Sequence, residues 1–437
     1  MQKTKEYIKQ HRNDDVYRLA LAKTPEGVDL QYALQQISAY QTLTKKVPSW
    51  AECDELIFPR QLSLEQSSSE LTARYKAELI CDFMGNEPFN HIDLTGGMGI
   101  DCYFIAQHTQ NSHYVELNPE LCQIAQHNFA YLNPNISVHN TTAEEFLNQS
   151  TDNRVQSTEH RVQITDDRVQ STDKSIAEDS KNAKSQLSTL NSKLSTLIYL
   201  DPARRGDHGQ KLVSIADCQP NVIELLPQMF ELTNKIVVKL SPMLDITRAI
   251  GELSHIEKLY VISVGNECKE LLLLINKEYE TNTEIYAINI DNKGNKSDIL
   301  KGTIPSESQI NISHAHAVGT YLYEPYAAHL KSGLYKTIAQ RYNCEKLHQH
   351  SHLYTSNTLN NDFPGRKFEV KEVIPFDKKS AKALFKSLQK ANITTRNFPL
   401  TVNELRTQYK IKDGGETYIF ATTLYDESKV LIICQKI

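Results

Sequence analysis

The residues of this 437-residue chain best equipped for chemistry fall in three short runs. The first is Asp93-Leu-Thr95-Gly96-Gly97-Met-Gly99, a glycine turn that leaves one apolar run and enters a helix-forming one at Ile100. Glycines serve where backbone must turn sharply and let a ligand approach with no Cβ in the way. The second is Glu116, about twenty positions on, in His113-Tyr-Val-Glu116-Leu-Asn118. A carboxylate there can accept both hydroxyls of a ribose, so an adenosine-containing cofactor is expected at the turn. The third is Ile198-Tyr-Leu-Asp201-Pro202-Ala-Arg204-Arg205, in which an apolar run stops at Asp-Pro. Open α/β sheets place their chemistry at such strand exits. Asp201 offers an acceptor, Pro202 stiffens the turn, and the two arginines suit a phosphate or a carboxylate.

A glycine turn alone is shared with dinucleotide-binding proteins. Here the spacing is Gly-Gly-x-Gly-x-Asp rather than Gly-x-Gly-x-x-Gly, with Asp101 or Cys102 where a third glycine would support helix packing. A cofactor without pyrophosphate has less need of a bare helix N-terminus, which points to S-adenosylmethionine. Asp93 then faces its amino acid end, and Thr142-Ala143-Glu144, after the third strand, meets its adenine. Glu144 taken alone reads equally well as a solvated first-turn acid. The expected cofactor-binding set is Asp93, Thr95, Gly96, Gly97, Gly99, Asp101, Glu116, Asn118, Ala143 and Glu144.

Short β-rich runs separated by amphipathic helices position these residues, the pattern of a mostly parallel sheet covered on both faces. Strands are expected at 91–95, 113–117, 136–140, 198–201, 235–241, 256–264 and 268–276, and helices near 100–108, 119–132, 143–148, 220–232 and 245–253. Gly265-Asn-Glu267 is too short for a parallel crossover, so the last two strands form a hairpin. The fold class is therefore α/β, a seven-stranded doubly wound sheet of the methyltransferase type. Residues 1–86 read as a helical domain, with Ser69 capping a helix over 71–83. Residues 148–197 hold a heptad repeat of the form Arg-Val-Gln-Ser-Thr. It offers about one apolar position per repeat where a coiled coil needs two, so a polar disordered insertion is expected. Beyond 276, strand-rich residues lead to helices around Tyr321–Tyr342. An α+β module follows, with strand 368–375, helices 380–391 and 402–409, and a final hairpin.

The set Asp93–Gly99, Glu116 and Asp201-Pro-Ala-Arg204 resembles class I S-adenosylmethionine-dependent methyltransferases. With Tyr323-Glu-Pro325, Arg396-Asn-Phe-Pro399 and Asp413-Gly-Gly415, the chain is similar to a bacterial family that adds a ferredoxin-like middle segment and a THUMP-like C-terminal domain. The resemblance implies a core over 87–276, a ferredoxin-like segment over 277–330, a THUMP-like domain over 331–437, and an RNA substrate such as tRNA or rRNA. Asp-Pro-Ala-Arg also resembles a motif of uracil-5 RNA methyltransferases, which need a cysteine nucleophile after the next strand. Here that strand ends Lys239-Leu-Ser241, and a serine is a far poorer nucleophile. Direct in-line transfer to nitrogen or oxygen is expected instead, with Asp201, Pro202, Arg204 and Lys239 as the catalytic set.

The net charge of -5 conceals an uneven distribution. Residues 366–413 carry 12 Lys or Arg against 5 Asp or Glu, so this stretch stands at +7 and the remainder at -12. Such a stretch is either a solvated face or a polyanion-binding surface. The eight cysteines include no Cys-x-x-Cys pair, and the N-terminus lacks the apolar core of a signal peptide, so a cytoplasmic protein without a membrane span is expected. His348, His350 and His352 would share one face of a strand, but with no acid or thiol close by, no metal is expected. Two alternatives stay open: a methyltransferase for a protein or small metabolite, and a catalytically silent RNA-binding protein.

Overall fold

The computed structural model describes residues 2–59, 67–132, 135–151, 194–204 and 214–437. It divides into two compact units, Met1–Ile256 with Leu273–Glu280, and Glu257–Leu272 with Thr281–Ile437.

The first unit opens with helices α1 (Gln2–His11), α2 (Val16–Leu21), α3 (Leu30–Lys46), α4 (Pro48–Ala51) and α5 (Glu70–Phe83). Tyr7, Leu19, Ala33 and Ile37 close a small core among the first three. Side chains start these helices: Asp15 and Asp29 cap α2 and α3, and Ser69 caps α5 by accepting the Thr72 N–H, as expected. Each such cap stabilises by about 1 kcal/mol.

Then come β1 (Phe89–Asp93), β2 (Asn111–Glu116), β3 (Ile136–Asn140), β4 (Ser195–Leu200) and β7 (Lys235–Leu240), all paired in parallel in the order β7-β4-β1-β2-β3. A short antiparallel pair, β5 (Ala203–Arg204) and β6 (Cys218–Gln219), lies between β4 and β7 in the chain. Connecting them are α6 (Ile100–Ala106), α7 (Pro119–Leu132), a helical stretch over 143–151, α8 (Val222–Leu232) and α9 (Ile246–Glu252). Every residue of β1 is buried, as a central parallel strand requires. Strand order reverses at β1, which has β2 on one side and β4 on the other, and this switch point brings the ends of β1 and β4 together. The repeat segment lies outside the described residues. Of the 148–197 stretch expected as a disordered insertion, residues 148–151 continue a helix and 195–197 pair with β1.

β8 (Ile256–Val264) turns into β9 (Glu267–Asn276) through Gly265 and Asn266. Both have positive φ, 57° and 68°, the conformation of a tight hairpin turn. The full strand order, β11-β10-β8-β9-β7-β4-β1-β2-β3, has nine members where seven were expected. The extra two are β10 (Glu284–Ile290), parallel to β8, and β11 (Leu300–Gly302), antiparallel to β10. Ile285, Ala287, Ile288 and Ile290 are all buried, so this apolar strand extends the edge of the sheet rather than starting a new one. A boundary at 276 therefore does not coincide with a sheet boundary.

A separate seven-stranded sheet, β13-β14-β12-β15-β18-β17-β16, uses β12 (Tyr321–Pro325), β13 (Glu345–Lys346), β14 (Tyr354–Ser356), β15 (Gly365–Pro375), β16 (Asn392–Arg396), β17 (Thr417–Thr423) and β18 (Lys429–Lys436). Helices α10 (Ile304–Gln309), α11 (Ala327–Lys331), α12 (Tyr335–Arg341), α13 (Lys378–Ser387) and α14 (Val402–Tyr409) complete the unit. Tyr321–Pro325, expected to open a helix, is a strand because β14 and β15 pair with it on either side and bury Leu322 and Tyr323. On the other side of the sheet's long strands, Ala381 and Phe385 of α13 and Leu405 of α14 pack on Ile419, Ala421 and Leu431.

Candidate active site

At the end of β1 the chain rises through Leu94 and Thr95 into the glycine turn. A Cβ on Gly96 would lie 2.2 Å from the Tyr114 ring, so the strand beneath admits no side chain there. Gly97, with φ 53°, has nothing within 3.8 Å of an added Cβ, and its bare backbone is open to a ligand. Gly99 heads α6. The Tyr114 hydroxyl donates to the Gly97 carbonyl at 2.6 Å. Glu116, at the end of β2, accepts the N–H groups of Gly97 and Asn118, both at 2.8 Å. These bonds fix the carboxylate in place, and each oxygen keeps a second lone pair for a ligand hydroxyl. Asn118 in turn accepts the Glu120 N–H at 2.9 Å and starts α7.

Asp93 is buried and accepts the Thr95 N–H at 3.0 Å. Burial, with lesser repulsion from Asp101, Asp201 and Glu116, outweighs that bond and pushes its pKa up to about 8. The Thr95 hydroxyl accepts the Asp201 N–H at 2.6 Å, tying the exit of β4 to that of β1. Lys239, near the end of β7, donates to Asp201 Oδ2 at 2.5 Å and to the Ser68 hydroxyl at 3.2 Å, and lies 3.6 Å from Asp101 Oδ2. Asp101 receives the Ser68 and Tyr199 hydroxyls at 2.7 and 2.8 Å and pairs with Lys76, on α5, at 3.1 Å. Burial alone would raise the Asp101 pKa, but Lys76, Lys239 and the two hydroxyls hold it far below the carboxylate range. Two ammoniums and two carboxylates thus balance in one mostly buried network.

Ten of the expected residues converge on the carboxyl ends of β1, β2, β4 and β7: Asp93, Thr95, Gly96, Gly97, Gly99, Glu116, Asn118, Asp201, Pro202 and Lys239. Asp101, expected beside the cofactor, instead commits its carboxylate inward to Lys76, Ser68, Tyr199 and Lys239. Ala143 is buried and Glu144 exposed at the start of the helical stretch after β3, where the Thr142 hydroxyl accepts the Glu145 N–H. The backbone of Arg204 pairs with Cys218, while Arg205 lies outside the described residues. Ser68, Lys76 and Tyr199 were not anticipated. Lys76 had left a signal: it shares the 73, 76, 77, 80 stripe of α5 with Ala73, Ala77 and Ile80, all buried. His348, His350 and His352 do not alternate on a strand, since they lie in the turn between β13 and β14. There His348 bonds Glu427 and Asn397, while His352 stacks on Tyr335. Among the described residues no group of three metal-ligating side chains comes together.

A family model described as THUMP domain-like matches residues 365–436, and one described as a ferredoxin-like domain matches residues 321–364. A protein from Porphyromonas gingivalis W83, provisionally assigned as a methyltransferase, has a crystal structure to which this chain is similar. Identity is 32%, the TM-score is 0.79, and 99% of this chain and 97% of that one are covered. The chain belongs to that family. It shares with that protein the methyltransferase-type fold, and it carries a ferredoxin-like and a THUMP-like region at its C-terminal end. In this member of the family the ferredoxin-like match runs from β12 to β14, later than the 277–330 stretch expected to carry it, and the THUMP-like match begins at β15 rather than at 331. TrmK from M. capricolum in complex with S-adenosyl-homocysteine is 11% identical over 47% of this chain and 69% of its own, with a TM-score of 0.28. An O-methyltransferase from Bacillus cereus, also in complex with S-adenosyl-homocysteine, is 12% identical over 54% of this chain and 100% of its own, again at 0.28. Neither likeness, at such scores, bears on what this chain does. Nothing among curated proteins matches it. No described helix is long and apolar enough to cross a membrane.

Proposed function

We propose that this protein is an S-adenosylmethionine-dependent methyltransferase that modifies a nitrogen or oxygen atom of an RNA. The observation that carries this reading is the bare backbone at Gly97, set against the Glu116 carboxylate and within one strand exit of the Asp201–Lys239 pair. The donor set fits the cofactor: Asp93 and Thr95 for the amino acid end, Glu116 for the ribose, Ala143 and Glu144 for the adenine. Asp101 supports the site from below. S-adenosylmethionine supplies a methyl already activated on a sulfonium, so the protein's task is chiefly alignment. Lys239 occupies one Asp201 oxygen and leaves Oδ1 to accept a hydrogen bond from an N–H or O–H of the acceptor. Pro202 holds that carboxylate at the strand exit, and Arg204 is the candidate contact to a substrate phosphate.

The RNA part rests on the THUMP-like match and on the +7 charge of residues 366–413. Within this reading we divide the chain into a helical segment over 1–86, a catalytic core from 87, and the two matched regions at its end. Two measurements test the proposal. Calorimetry with S-adenosylmethionine should show binding that falls at least tenfold in Gly96→Ala, because the new methyl displaces the Tyr114 ring and its bond to Gly97. Mass spectrometry of nucleosides from cells with and without the gene should reveal one modified nucleoside that disappears. Binding of a nicotinamide dinucleotide in place of S-adenosylmethionine would overturn the cofactor assignment. Unchanged nucleosides would overturn the RNA assignment.

A further inference from the structure

Helix α13 has Lys378, Lys382 and Lys386 at intervals of four, and that spacing places all three on one face. With Lys410, which sits in a left-handed turn (φ 55°) at the end of α14, they line a groove of about 360 Å³. Phe385 and Tyr409 form its floor, their rings stacked with centroids 4.7 Å apart and planes 23° from parallel. Phe385 is buried, whereas Tyr409 is partly exposed.

No carboxylate is among the described residues that line the groove. The acids nearest in sequence have other roles: Asp377 caps α13, Glu404 closes the capping box of α14 with Thr401, and Asp413 pairs with Arg406. Among the described residues none of the four lysines is in an ion pair. Like charges at this spacing repel, so α13 carries them against its own stability. A concentrated positive groove around an aromatic platform is the arrangement that holds a single nucleic acid strand, with ammoniums along the phosphates and a ring beneath a base.

We propose that this groove of the THUMP-like domain binds a single-stranded segment of the RNA substrate, the lysines contacting phosphates and Tyr409 stacking on a base. The inference rests on the RNA reading above and assigns it a surface. The test is fluorescence anisotropy of the full-length protein with a mixed-sequence, single-stranded oligoribonucleotide of about 20 nucleotides, its duplex form, and phosphatidylserine vesicles as competitor. The triple variant Lys378→Gln, Lys382→Gln, Lys386→Gln should bind the single strand at least tenfold more weakly at about 0.1 M salt. Its dependence of log affinity on log salt should be shallower by about 2, since each phosphate contact on a single strand contributes about 0.7. Its S-adenosylmethionine binding should match the wild type, which separates loss of the groove from loss of the fold.

Tyr409→Ala should weaken binding by roughly tenfold with little change in salt slope, and Tyr409→Phe should restore it. Lys371→Gln, on β15 outside the groove, should change nothing. A triple variant with wild-type affinity and slope overturns the groove and leaves the RNA reading standing. A wild-type protein that binds neither form of RNA overturns both. Tighter binding of the duplex, or displacement of RNA by the vesicles, also overturns the proposal.

Discussion

Lysine is used in opposite ways in two regions of this molecule. In the first unit Lys76 and Lys239 are buried and nearly so, and Asp101 and Asp201 answer their charges at 3.1 and 2.5 Å. On α13, Lys378, Lys382 and Lys386 stand exposed with no acid among the groove's lining residues. Buried charge is tolerable only with its partner in place, so in the first region each residue dictates the position of the next. Exposed charge is screened within about 8 to 10 Å at ordinary ionic strength and fixes nothing nearby; its effect is attraction at a distance. Paired lysines therefore build geometry, and unpaired ones gather a ligand.

The comparison breaks first at Asp101. Asp101→Ala removes a carboxylate that lies 3.1 Å from the Lys76 ammonium and 3.6 Å from that of Lys239, and so takes a counter-charge from a fully buried lysine. A cost of about 3–5 kcal/mol is expected in urea denaturation, the range for breaking a buried pair from one side. The exposed pair Lys269–Glu267, at 2.7 Å with side chains 41% and 75% exposed, is the reference. Lys269→Ala should cost no more than about 1 kcal/mol despite the similar distance. Equal losses in the two variants would mean that the network is ornamental and that burial does not separate the two uses of lysine.

Asp93 sharpens the contrast through pH. Its folded pKa, about 8, lies above the ordinary carboxylate value, so between about pH 4 and 8 the native state holds a proton that the unfolded chain has lost. The contribution of Asp93 to stability therefore declines as pH rises across that window. A cofactor whose ammonium faces this carboxyl favours the ionised form, so binding releases the proton. Affinity for S-adenosylmethionine should climb with pH, by at most about tenfold per unit, and level off above about 8. Calorimetry in buffers of different ionisation enthalpy reads the proton release directly. In Asp93→Asn the climb should vanish, and a climb that survives would assign it to another group.

Much of this site could be read from the chain because its demands are local. A backbone that must turn tightly calls for Gly96 and Gly97, and an acid about twenty residues on falls at the next strand exit. The bounds of β3, α7 and α14 agree with the expected ones for the same reason, since periodicity and caps are short-range signals. Ser68 and Lys76 were missed because the group they serve is assembled by packing: Asp101 is 33 residues from Ser68 and on a different helix from Lys76, and Lys239, 171 residues from Ser68, is brought near only by the sheet order. Tyr321–Pro325 was misread on similar grounds. Five residues ending in proline say little alone, and the strand exists through pairing with Gly365–Glu369, 40 to 48 positions on. The lysines of α13 were visible as a charge excess, but that they share a groove with Tyr409 follows only from the packing of α14 beside them.

The smallest expected effect separates the two uses of lysine most cleanly. Lys382→Glu places an acid between Lys378 and Lys386, turning two repulsive neighbours on α13 into two attractive ones. Each such pair is worth about 0.2–0.5 kcal/mol, with the Glu-to-Lys order toward Lys386 the better of the two, so the protein should become slightly more stable in urea. The same change places a negative charge in the groove and should weaken binding of the single-stranded oligoribonucleotide. Stability and binding then move in opposite directions from one substitution at one exposed site. In the buried network no substitution can do this, because losing a partner there lowers stability and disorders the site together. A Lys382→Glu protein that is less stable than the wild type would mean that α13 needs its positive face for packing, and the division between structural and ligand-gathering lysines would fail at that point.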